Sequence, residues 1–191
     1  MEKFEILGAR ELNGKIKING AKNALLPIMT STLLAPGNYL LNNVPDLKDT
    51  RTMAELLRRI GASVSFKNNQ LLINAVNVSK PVAPYDLVKT MRASFYVLGP
   101  LLGRLGHAEV SLPGGCAWGP RPVDIHIEAL KKLGVNISLE GGNIVAKGNP
   151  IGNNIKFKFP SVGATGNLMM ASVLGKGQTI LKNVALEPDI I

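Results

Sequence analysis

The chain has one cysteine, Cys116, and two histidines, His107 and His126, in 191 residues. A lone cysteine excludes an internal disulfide framework, and no Cys/His spacing suggests a structural zinc site. Long hydrophobic runs are missing too. Every apolar stretch is interrupted well short of the roughly 18 residues that a membrane span needs. The opening MEKFEILGAR mixes charges and lacks the apolar segment of a secretory signal. These absences point to a cytoplasmic chain with no membrane or metal involvement and no cofactor. Aromatics make up only 5% of residues and acids are outnumbered, 13 Asp+Glu against 22 Lys+Arg, for a net charge of +9. The excess of bases falls in ones and twos, and no basic run is interleaved with aromatics as a nucleic-acid groove would require. A small polyanion, a phosphate or a nucleotide, fits that distribution better.

What the chain does have is internal repetition. LLAPGNYLLNNV (33–44), LLGRLGHAEVSLP (101–113) and VLGKGQTILKNV (173–184) share one plan: the end of an apolar helix, a glycine, then a strand. Gly37, Gly106 and Gly177 are 69 and 71 residues apart. In the first two units a second helix follows, TMAELLRRIG (52–61) and HIEALKKLG (126–134), each stopped by glycine, and then a strand pair turned at KNNQ or EGGN. The third unit ends at Ile191, where its second helix is due, so it reads as truncated.

The two helices of a unit differ. AKNALLPIMTSTLLA, SFYVLGPLLGRLG and GNLMMASVLG are apolar on nearly every face, whereas TMAELLRRIG and IEALKKLG are amphipathic. The first set belongs inside. The pattern predicts an α/β fold of pseudo-threefold repeats with buried helices and outer mixed sheets, an ordinary two-layer α/β domain being the alternative. The repeats run over about 21–79, 80–148 and an incomplete 149–191, after an N-terminal segment, 1–20.

Counted back from the repeat glycines, the starts of the three apolar helices correspond: GAKN with Lys22 and Asn23, KTMRAS with Lys89 and Arg92, and PSVGAT with Ser161, Val162 and Gly163. Free N–H groups and the positive end of the helix dipole favour anions there. Each has a plain structural reading as well, a solvated lysine for Lys22 and an N-cap for Ser161.

The loop before the second amphipathic helix is four residues longer than its counterpart in the first unit, and the extra length falls in SLPGGCAWGPRPVD. Cys116 is either a small buried hydrophobe or an exposed thiol whose thiolate is favoured by Arg121. Arg121 and Pro122 offer two flat faces for a planar base, with Asp124 available to a hydroxyl or, equally, to the helix start.

Together, INGAKNALLPIM (18–29), MRASFYVLGPLLGRLG (91–106), LPGGCAWGPRPVDIHIEALKKLG (112–134) and PSVGAT (160–165) resemble the N-terminal part of the UDP-N-acetylglucosamine 1-carboxyvinyltransferases, a family of enolpyruvyl transferases. The resemblance covers essentially the whole chain. It implies an inside-out α/β barrel and transfer of the enolpyruvyl group of phosphoenolpyruvate to the 3-hydroxyl of UDP-N-acetylglucosamine, opening peptidoglycan synthesis and so serving cell wall biogenesis, cell shape and division. It implies that Cys116 is the proton donor and the site of fosfomycin attachment. Lys22, Asn23 and Arg121 would hold phosphoenolpyruvate. Arg92, Arg121, Pro122, Val123, Asp124, Ile125, Phe159, Pro160, Ser161, Val162 and Gly163 would hold the nucleotide sugar, with Phe159 where some members carry lysine. The family's second domain would be the partner of residues 1–20, and without it the chain is expected to turn over little. Two alternatives stand beside this: a shortened remnant that binds nucleotide sugar, and a relative of 5-enolpyruvylshikimate-3-phosphate synthase, which lacks the cysteine loop and carries a serine-lysine motif in place of GAKN.

Overall fold

The computed structural model describes residues 3–8, 11–112 and 123–191. The first unit comprises α1 (Lys22–Ser31), β1 (Asn38–Leu41), α2 (Lys48–Ile60), β2 (Ser63–Lys67) and β3 (Gln70–Asn74). Residues 82–88 hold the short β4 (Val82–Ala83) and α3 (Tyr85–Val88), neither of which the repeat pattern foresaw. The second unit follows with a 3-10 turn at Arg92–Val97, α4 (Leu98–Leu105), β5 (His107–Ser111), α5 (Asp124–Lys132), β6 (Asn136–Glu140) and β7 (Asn143–Lys147). Last come β8 (Asn154–Lys156), α6 (Val162–Ser172) and β9 (Ile180–Lys182).

The repeat is visible in the strand order. The first sheet is β1-β3-β2, and the second repeats it as β5-β7-β6 with β4 added in parallel at its edge. Each hairpin closes through two left-handed residues, Asn68 and Asn69 in one and Gly141 and Gly142 in the other. Such turns match the twist of the strands they join. The third unit contributes the parallel pair β8-β9. Asn43 and Asn183, each six residues beyond its repeat glycine, both take φ 56°, so the exit from the strand is built alike in the first and third units.

The apolar helices lie inside, as their sequences predicted. Leu98, Leu101 and Leu102 of α4, Leu168 and Ala171 of α6 and Met29 of α1 are fully buried. The amphipathic α2 turns Met53, Leu56, Leu57 and Ile60 inward and its arginines outward. One expectation needs correcting: the inner helices are not covered on every face, since Ile28 of α1 and Met169 of α6 remain 45% and 44% exposed. Among the described residues the third unit contributes only the two short strands β8 and β9 to the sheets. Nor is the second inner helix regular from its start, because its first six residues wind as the tighter 3-10 form.

Helices α4 and α6 cross closely because α4 offers glycines where α6 passes. A Cβ on Gly99 would stand 2.3 Å from the Asn167 carbonyl oxygen, and one on Gly103 would be 3.2 Å from the carbonyls of Met170 and Ala171. Arg104, at the end of α4, turns back to the first unit and donates to the carbonyls of Leu33, Ala75 and Val76. Its charge is spent on tying two units together. Among the described residues no helix is long and apolar enough to cross a membrane.

Candidate functional site

The three starts of the inner helices meet at one cavity of about 730 Å³. Asn23 and Leu26 reach it from the first two turns of α1, Arg92, Ala93, Phe95 and Tyr96 from the 3-10 turn, and Ser161, Val162 and Gly163 from the start of α6. Phe159, Val123, Ile125, His126, Glu187 and Asp189 complete the lining. Residues far apart in sequence thus share a wall because the repeat brings equivalent ends to one level.

The start of α6 is preorganised. Ser161 takes the extended N-cap conformation, and its Oγ accepts from the Ala164 N–H at 3.3 Å. Its carbonyl accepts from both the backbone N–H and the hydroxyl of Thr165. Capping of this kind holds the first turn in place while leaving other N–H groups at the helix start for a ligand. Gly163 matters for space: a Cβ there would lie 3.2 Å from His126 Cε1 and 3.3 Å from Nε2.

The start of α1 is built otherwise. Ala21 occupies the N-cap position and provides no side-chain cap. Lys22 does not line the cavity; its Nζ pairs with Asp49 Oδ2 at 2.9 Å, both side chains partly in solvent. Pro27, inside α1, lacks the N–H that a regular helix would direct at residue 23, the position of Asn23 in the cavity wall.

Electrostatics in the wall are set by burial. Burial pushes the His126 imidazole down to about 4, with Arg92 adding in the same direction and Asp124 opposing. The ring is therefore neutral near pH 7. Burial, and then the carboxylates of Asp189 and Glu187, push the Tyr96 phenol up to about 12, so it keeps its proton. Lys89, a candidate at the second helix start, instead lies over the Tyr85 ring at 5.2 Å.

Of the residues expected from sequence, Asn23, Arg92, Val123, Ile125, Phe159, Ser161, Val162 and Gly163 come together. Asp124 begins α5 but does not line the cavity, and neither does Pro160. Cys116, Arg121 and Pro122 lie outside the described residues. Sequence reasoning missed Tyr96, His126, Glu187 and Asp189. Tyr96 was within reach, being four residues after Arg92. His126 follows Val123 by three, a helical neighbour spacing.

The same fold recurs in solved structures. The chain superposes on the enolpyruvyl transferase NikO from Streptomyces tendae with a TM-score of 0.80 at 23% identity, over 96% of this chain and 43% of that one. The corresponding match to EPSP synthase from Acinetobacter baumannii is 0.73 at 16% identity, over 93% and 42%. The fold is thus that of the enolpyruvyl transferases, the inside-out α/β barrel of repeated units.

Residues 6–191 match the family model of EPSP synthase (3-phosphoshikimate 1-carboxyvinyltransferase), and the chain belongs to that family. Within reach of its sequence are proteins named UDP-N-acetylglucosamine 1-carboxyvinyltransferase. Those of Chlorobaculum parvum and Thermodesulfovibrio yellowstonii are 53% identical over 194 and 192 residues, and that of Campylobacter jejuni 48% over 191. All of this chain aligns with each, against 46% of the relative's length, so the chain spans about half of the curated relatives it matches.

Proposed function

We propose that this chain carries the nucleotide-sugar side of an enolpyruvyl transferase that uses phosphoenolpyruvate and UDP-N-acetylglucosamine, and so serves peptidoglycan synthesis in the cytoplasm. The observation that carries this reading is the convergence of three sequence-distant helix starts, with Arg92 among them, on one cavity. Its volume is within the range of small-molecule sites. The names of the relatives at about half identity support the choice of substrates.

In this reading the N–H groups at the start of α6 and the Arg92 guanidinium receive the diphosphate. Val123, Asp124 and Ile125, with Phe159 and Pro160, border the uridine, and Arg121 and Pro122 hold its base. Lys22, Asn23 and Arg121 face phosphoenolpyruvate. To reach it, Lys22 exchanges the Asp49 carboxylate for a phosphate oxygen. The sugar 3-hydroxyl gives its proton to a carboxylate of the second domain and its oxygen bonds to C2 of phosphoenolpyruvate, while the Cys116 thiol delivers a proton to C3. The C2–O bond to phosphate then breaks, phosphate leaves, and C3 returns a proton to restore the double bond. No resident metal or cofactor enters these steps.

Residues 1–20 pair with a second domain in this proposal. Phe4, Ile6, Ile16 and Ile18 recur at every second position within their two stretches, as on the apolar face of a strand, and each is strongly exposed, Phe4 by 98% and Ile16 by 85%.

The test is to mix the protein at its natural length with both substrates and follow phosphate release. Release that requires both substrates is expected. Intact-mass analysis with fosfomycin and UDP-N-acetylglucosamine should add one fosfomycin at Cys116. Absence of nucleotide-sugar binding sinks the reading; binding without phosphate release and without adduct favours a non-catalytic binding chain.

A further inference from the structure

His126 is a buried titratable side chain in the cavity wall that the proposed reaction leaves without a task. It is only 9% exposed, and its ring stands edge-on to Phe95, with centroids 5.0 Å apart at 85°. Its two nitrogens have different surroundings. Nδ1 lies 3.1 Å from Nδ2 of Asn167, a side chain with no exposure at all.

The orientation of that amide follows from the backbone around it. Asn167 Oδ1 accepts from the Gly99 N–H at 2.7 Å, and Nδ2 donates to the Phe95 carbonyl at 3.0 Å. A flipped amide would set donor against donor and acceptor against acceptor, losing both bonds in a buried place. Asn167 therefore offers an N–H to Nδ1, Nδ1 accepts it, and the one proton of the neutral ring sits on Nε2. The Cε1–Nε2 edge lies over Gly163, at the mouth of α6. Among the described residues Nε2 has no hydrogen-bond partner.

We propose that His126, its tautomer locked by Asn167, determines specificity by donating its Nε2–H to an anionic phosphoryl oxygen of a nucleoside diphosphate seated at the start of α6. This rests on the nucleotide-sugar reading above. A neutral donor suits the place. Arg92 already supplies positive charge to this wall, and a second buried cation beside it would carry a desolvation cost of its own. Of the other charged groups, Asp124 acts on the ring against Arg92 and Glu187 and Asp189 line the same cavity, while the Cε1–Nε2 edge faces Gly163.

Two measurements decide it, on the protein at its natural length. In titration calorimetry with UDP and with uridine, His126→Asn keeps an amide near the place of Nδ1 and removes the donor at Nε2. UDP affinity should fall about tenfold or more, the loss of one bond to a charged group, and uridine affinity should hold. His126→Gln, whose amide nitrogen reaches the Nε2 position, should recover UDP affinity to within about threefold of the wild type. Equal losses for both ligands, or no loss for UDP, overturn the proposal while the nucleotide reading stands. Wild-type protein that binds neither ligand removes both. Independently of any variant's folding, the imidazole nitrogens of the wild-type protein should give the Nε2–H tautomer by nitrogen-15 NMR at pH 7. An Nδ1–H tautomer or an imidazolium there overturns the lock.

Discussion

The start of α1 and the start of α6 hold equivalent places in the repeat and treat charge in opposite ways. At α1 the helix has no capping side chain, and its cation, Lys22, sits half in solvent against Asp49. At α6 the first turn is capped by Ser161, backed by a neutral histidine and joined through Asn167 to the crossing with α4. One end is a long, flexible charge that can change partners; the other is a rigid set of neutral dipoles. The difference teaches that a repeated frame conserves where a helix begins, while the side chains around each start decide whether an anion meets a mobile charge or a fixed one.

The strongest way to break the comparison is at the helix crossing that supports α6. Gly99→Ala drives a methyl against the Asn167 carbonyl, which is backbone and cannot swing aside. We expect a loss of about 3 kcal/mol in urea unfolding, together with a changed His126 environment. The α1 start should be unaffected in its Lys22–Asp49 pairing.

A change of pH reaches the α6 side through His126. The folded His126 titrates at about 4, below the usual 6.5 of an unfolded histidine. Between those values the unfolded chain binds the extra proton, so this contribution is fully present above about 6.5 and is lost as pH falls toward 4. It amounts to about 3 kcal/mol. His126→Gln should flatten this part of the stability profile, measured as unfolding midpoint against pH, relative to the wild type.

Smaller effects sharpen the contrast between the two caps. Ser161→Ala removes the bond to the Ala164 N–H and should cost about 1 kcal/mol. Ala21→Ser, at a residue already in extended conformation with nothing to cap α1, should gain up to about 1 kcal/mol. Both are read from chemical unfolding. The least effect belongs to Asp49→Asn, since a partly solvated pair contributes little; its unfolding free energy should change by less than about 0.5 kcal/mol.

Much of this frame is legible in the sequence. The repeat glycines, the paired hairpins and the difference between apolar and amphipathic helices follow from local rules of pattern and turn chemistry, and the strand orders β1-β3-β2 and β5-β7-β6 repeat as those rules imply. Eight of the expected site residues also share one cavity, because equivalence under the repeat is a statement about position. What escaped were side chains whose meaning depends on a neighbour from another unit. Nothing in GNLM marks Asn167 as the amide that orients His126, 41 residues away. Glu187 and Asp189 carry no pattern of their own in the sequence, and only the fold places their carboxylates near Tyr96. For Lys22, which the sequence leaves open between an anion-binding cation and a solvated lysine, only the fold brings in its partner, the Asp49 carboxylate on α2.

The sequence by itself determined the three-unit plan, the inward set of helices and the residues that begin them, because these depend on periodicity and glycine placement within one stretch of chain. Only the tertiary structure decided which of those starts is rigid and which is held by an exchangeable ion pair. That choice rests on packing and proton position: the Gly99 crossing orients an amide, and the amide tells a buried imidazole which nitrogen keeps its hydrogen.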